Sequence, residues 1–169
     1  MYILTEKVFI AWGQNIDLAL KLSDYLTKLK IDNTIGGYAD VREEADDHIG
    51  NRVINQMRRC SRAIILAQGK RGPDGSITFR PNLMFEWGYL LARLPKGSIM
   101  IALIETPREA VASDLQGIFS QLVPKELTTV PKRARWIADR YCEARLPDRF
   151  QPFDTIYSWS KVKTFLTTS

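Results

Sequence analysis

Histidine occurs once in this chain of 169 residues, at His48, and cysteine twice, at Cys60 and Cys142. A single histidine leaves no Ser-His-Asp set, no HExxH and no histidine metal cage to argue for. The two cysteines lack any metal-type spacing and read as idle thiols of an intracellular protein. No apolar run approaches the roughly 20 residues of a membrane span. The N-terminus has no basic segment followed by an apolar one, so a cytoplasmic protein is expected. No GxGxxG follows the first apolar run and no GxxxxGK[ST] occurs anywhere, which disfavours a Rossmann cofactor role and a P-loop NTPase. Any chemistry here must rest on carboxylates, amides, hydroxyls and aromatics.

What is present suits one globular α/β domain. Hydrophobic residues make up 45% and charged residues 25% of the chain, an ordinary balance at a length that buries a core without staples. The net charge of +5 is uneven, with nine Lys/Arg against five Asp/Glu from Lys125 onward. That basic tail is spread over more than 40 residues without aromatic interleaving, so a solvated face is the plainer reading and nucleic acid is not expected.

Continuous apolar runs at 7–12, 63–67 and 98–104, with a weaker one at 33–35, read as buried parallel strands. Amphipathic helices are expected over 17–29, capped by Asn15, over 47–59 with Ile49, Val53, Ile54 and Met57 inward, and over 80–94. Residues 68–79 read as a long mobile loop and 113–118 as one helical turn. Further helices are expected over 130–144, with Trp136, Ile137 and Tyr141 inward, and over 157–166. Strands alternating with helices give a parallel sheet with helices on both faces. Ligands then sit beyond the carboxyl ends of the strands, at 12–15, 36–42, 68–79 and the start of the 80–94 helix.

The 80–94 helix carries the chemical signal. Pro81 suits a first helical position, and Leu83, Trp87, Leu90, Leu91 and Leu94 form one apolar arc. Asn82, Glu86, Tyr89 and Arg93 line the neighbouring stripe. Glu86 lies where stripe and arc meet, with no Lys or Arg three or four residues away. It is either a half-buried carboxylate that is costly to ionise, or a surface glutamate that reaches water. Gly88 sacrifices about 1 kcal/mol of helix propensity, which suggests close approach by another backbone or a ligand. Five carboxylates between Asp40 and Asp47 lack calcium-loop spacing, so no metal is expected.

One carboxylate among amides and aromatics suits chemistry at a sugar anomeric carbon, where a leaving base exposes an oxocarbenium-like cation. Trp12, Tyr38 or Tyr89 could stack on a base, and Arg80 or Arg93 could hold a phosphate; each aromatic has the plainer reading of core packing.

The segments 8–13, 49–67, 80–89 and 113–118, above all the block Arg80-Pro81-Asn82-x-x-Phe85-Glu86-x-Gly88-Tyr89, resemble the bacterial TIR-like domains. These are effectors of antiphage systems, some fused to STING-type cyclic-dinucleotide sensors. The resemblance covers about residues 6–120 and implies a flavodoxin-like three-layer TIR fold; residues 1–124 are expected to form the TIR-like catalytic domain, and 125–169, read from their own pattern, a helical basic extension of it. It implies hydrolysis of NAD+ at the nicotinamide–ribose bond, with NAD+ as substrate and no cofactor. Glu86 would be the catalytic carboxylate. Trp12, Gly13, Gln14, Tyr38, Arg80, Asn82 and Tyr89 would line the substrate site. Trp12-Gly13-Gln14-Asn15 stands where the family often carries a histidine-bearing stretch. Self-assembly on activation, and a separate sensor or second-messenger-binding domain, are the implied partners. Two alternatives stay open: a non-catalytic TIR assembly module, and an N-glycosidase like the nucleoside deoxyribosyltransferases.

Overall fold

The structure, a computed structural model, describes residues 6–38, 49–111 and 118–150. Its centre is a five-stranded sheet in the order β2-β1-β3-β6-β7. The strands are β1 (Lys7–Trp12), β2 (Asp32–Ile35), β3 (Arg62–Ala67), β6 (Ile99–Leu103) and β7 (Phe119–Leu122), all paired in parallel. Burial on both faces explains the unbroken apolar runs, since alternate residues of one strand enter different cores. Along β1, Val8 and Ile10 pack on one side with Leu18, Leu22, Ile137 and Tyr141. Phe9 and Ala11 pack on the other with Met57, Leu83, Trp87 and Leu90.

The first core belongs to helices α1 (Ile16–Lys28) and α4 (Val130–Phe150), the second to α2 (Ile49–Arg58) and α3 (Pro81–Arg93). This is the three-layer, flavodoxin-like arrangement expected. Helix α1 starts where the sequence places it: Asn15 Oδ1 accepts from the N–H groups of Asp17 at 3.0 Å and Leu18 at 3.3 Å. Those donors would otherwise have no partner in the first turn. Pro81 opens α3.

Three expectations need correction. Residues 68–79 contain a hairpin, β4 (Lys70–Arg71) antiparallel to β5 (Ile77–Thr78), in place of a structureless loop. Its turn is fixed by Asp74, whose Oδ1 accepts from the N–H and hydroxyl of Ser76, and by Gly75 at φ +82°. Strand β7 lies where the sequence pattern suggests no element; it is a short edge strand carrying polar Ser120 and Gln121. Helix α4 runs past Pro147 to Phe150, six residues beyond the expected end at 144. The acidic stretch 40–47, the turn at 113–117 and the 157–166 helix lie outside the described residues.

Candidate active site

The chain turns from β1 to β2 on one side and crosses to β3 on the other, so the crevice opens at the carboxyl ends of β1 and β3. Gly13 follows β1 there. A Cβ at that position would stand 2.6 Å from the Gln68 carbonyl oxygen, so only glycine lets the two strand ends come this close. Beside it, the Trp12 indole N–H donates to the Gly36 carbonyl at 2.9 Å, tying the end of β1 to the loop after β2.

Gly36 in turn lies against the carboxyl group of Glu86. A Cβ on Gly36 would be 3.0 Å from Glu86 Oε1 and 2.6 Å from Phe9 Cζ. Glu86 is 3% exposed, deeper than the half-burial expected from its helix. Burial pushes its pKa up from 4.5 to about 7, while the Arg80 guanidinium at the head of the same helix pulls it partly down. Desolvation wins because no cation contacts the carboxylate among the described residues.

Arg80 stacks on Trp12, its guanidinium carbon 3.9 Å from the ring centroid. Its buried Nε has no hydrogen-bond partner among the described residues. Trp12, Gly36, Arg80 and Glu86 thus converge from β1, the β2 loop and α3. A buried carboxyl group near neutrality, a cation with free donors and an aromatic face occupy one sheet edge. Such a set can hold an anion beside a carboxylate that stabilises positive charge.

The other sequence candidates fall in different places. Gly13 is buried in the crevice wall, and Gln14 beside it is exposed. Tyr38 is half exposed at the end of the β2 loop, and Asn82 is exposed in the first turn of α3. Tyr89 is partly buried and packs against the α2–α3 core. Arg93 cannot serve as a phosphate holder in this arrangement, because its guanidinium donates to the carbonyls of Met57, Arg58 and Cys60. It caps the end of α2, where the helix dipole favours a cation. Among the described residues nothing lies within 4 Å of a Cβ placed on Gly88, so none of their backbone explains that glycine.

Two polar residues escaped the sequence reading. Gln56 on α2 is 2% exposed and Thr106 after β6 is 3% exposed. Thr106 donates to the Ile104 carbonyl and accepts from the N–H of Gly69, joining the hairpin root to the end of β6. Gln56 lies on the inward side of α2 near Val53 and Met57, and only that mismatch could have flagged it; Thr106, between Glu105 and Pro107, carries no such signal.

The central parallel sheet with helices on both faces is consistent with a flavodoxin-like TIR fold. The family described as CAP12/Pycsar effector protein, TIR domain, matches residues 7–124, and the chain belongs to it. No curated protein matches the chain significantly. No helix among the described residues is long and apolar enough to cross a membrane.

Proposed function

We propose that this domain is an NAD+ glycohydrolase in antiphage defence, acting through Glu86. The observation that carries the reading is the Glu86 carboxyl group, buried against Gly36 at the ligand edge and held near neutrality. The nicotinamide ring of NAD+ is cationic, so its arrival beside Glu86 favours the carboxylate form. As the bond to nicotinamide breaks, both bonding electrons leave with the ring and positive charge develops on the ribose. The Glu86 carboxylate stabilises that charge, and water attack gives ADP-ribose and a proton. Arg80, braced on Trp12, offers its free donors to the diphosphate. Trp12, Gly13, Gln14, Tyr38, Asn82 and Tyr89 are the remaining proposed lining, with Tyr89 the most remote in character because it packs into the core.

A second reading, a TIR assembly module, is favoured by Met84 and Phe85. Both lie on α3 and are 49% and 52% exposed. Apolar side chains this open, next to the catalytic candidate, suit contact with a second copy, and the two readings combine if assembly activates the site. A separate sensor protein is the proposed source of the activating signal.

Mass spectrometry of NAD+ incubated at high protein concentration with wild type and Glu86→Gln tests the proposal. Nicotinamide and ADP-ribose, or a cyclised product, should appear only with wild type. Folded, self-associated wild type that leaves NAD+ intact sinks the enzymatic reading and leaves the assembly module. Base exchange on free deoxynucleosides would point to the deoxyribosyltransferase-like alternative instead.

A further inference from the structure

The second fully buried polar side chain of the α2–α3 layer is Gln56, and its partners all lie on one segment. Gln56 Oε1 accepts from the Gly37 N–H at 3.1 Å. Its amide nitrogen donates to the Tyr38 carbonyl at 3.0 Å and to the Thr34 hydroxyl at 3.4 Å. The segment so held, 34–38, is the one whose Gly36 packs on Glu86 and accepts from Trp12. We propose that Gln56 is a positioning residue for the Glu86 site, its amide clamping the β2 loop so that Gly36 closes over the carboxyl group. The inference rests on Glu86 being the working carboxylate.

An inward position on α2, beside Val53, Met57 and Cys60, calls for an apolar side chain. A buried amide is tolerated there only when its donors and acceptor are paired; two of its bonds go to Gly37 and Tyr38 of the loop and the third to Thr34 near the end of β2. Gly37 and Tyr38 are otherwise exposed, so their backbone groups could equally bond to water. Gly36 is tied to β1 through the Ile10 carbonyl and the Trp12 indole, and Gln56 supplies the tie from Gly37 and Tyr38 to α2. Gly37 itself sits at φ +71°, a conformation glycine adopts freely and can leave freely. The base of α2 is fixed independently, since Arg93 grips its last carbonyls from α3. Gln56 therefore projects from a helix that is anchored to the same element as Glu86. The charged group acting on Glu86 from the described elements is Arg80, which Gln56 does not touch.

The test reads Glu86 directly by carbon NMR titration of its carboxyl group in the full chain, assigned with Glu86→Gln. Wild type should titrate near 7. In Gln56→Met, which keeps the volume and removes the bonds, hydration of the loosened site should lower the midpoint by about one pH unit or more. Gln56→Asn, too short to span Gly37 and Tyr38 together, is the milder second variant and should move it in the same direction. Met57→Ala, a core truncation on the same helix that leaves the clamp intact, should not move it. An unmoved midpoint in the folded Gln56 variants, or an equal movement in Met57→Ala, overturns the proposal. NAD+ turnover is followed in parallel and should lose kcat more than it raises KM. If wild type does not turn NAD+ over, the glycohydrolase reading fails while the titration still decides the role of Gln56.

Discussion

The Arg80 guanidinium lies 3.9 Å above the indole of Trp12, so the head of α3 is stacked on the end of β1. The stack desolvates one face of a cation whose field reaches Glu86 without forming an ion pair among the described residues. Arg80 is thereby kept from neutralising the carboxylate while its donors stay available. Arg80→Met should raise the Glu86 midpoint above its wild-type value of about 7, because the influence that lowers it from the described residues is gone. Under the glycohydrolase reading, the same variant should raise KM for NAD+ by about tenfold or more, the worth of a charge-assisted hydrogen bond. Carboxyl NMR and steady-state kinetics check the two outcomes separately.

Glu86 also makes stability depend on pH. Unfolded, the group titrates near 4.5; folded, near 7, so between those values the folded chain binds more protons. Its contribution to stability is fully present below pH 4.5 and is lost as the pH rises through about 7. A displacement of this size corresponds to about 3 kcal/mol. Urea unfolding at pH 5 and pH 8 should show wild type losing stability on this order, and Glu86→Gln losing much less.

Gly36 and Gly88 should respond to alanine in opposite directions. At Gly36 the new methyl group meets the Phe9 ring at 2.6 Å and Glu86 Oε1 at 3.0 Å. Gly36→Ala should cost about 1–3 kcal/mol and displace the carboxyl group, lowering turnover. At Gly88 the methyl group meets nothing within 4 Å on an exposed helix face. Gly88→Ala should stabilise the isolated chain by about 0.5–1 kcal/mol. Thermal unfolding of both variants checks the signs.

Arg93 separates structure from chemistry. Its guanidinium satisfies three carbonyls at and beyond the end of α2. Arg93→Ala should destabilise the fold by about 1–3 kcal/mol, measured by denaturant unfolding. Turnover of the remaining folded protein should keep its KM, because the side chain is not turned to the ligand edge.

Much of the framework around the candidate site was legible because its signals are local. The Asn15 cap, Pro81 at the start of α3 and the apolar arc of Leu83, Trp87 and Leu90 each depend on residues within a turn or two. They therefore appear in the sequence as spacing. Gln56 did not, because a lone glutamine at an inward helical position has no pattern until its three partners arrive from β2 and the loop after it. Arg93 was misjudged for a related reason. Its stripe position and charge are those of a ligand contact, and only the packing of α3 beside α2 turns it into a cap. Strand β7 was hidden by its four-residue length and its polar Ser120 and Gln121.

The sequence by itself determined the layered α/β architecture and set Glu86 apart as the one acid on the apolar helix α3. Those follow from periodicity and chain order, which act over short distances along the backbone. Tertiary structure alone decided how deeply Glu86 is buried, that Gly36 closes on it and that Trp12 carries Arg80. Desolvation and stacking arise between segments that are far apart in sequence and meet only when the sheet assembles.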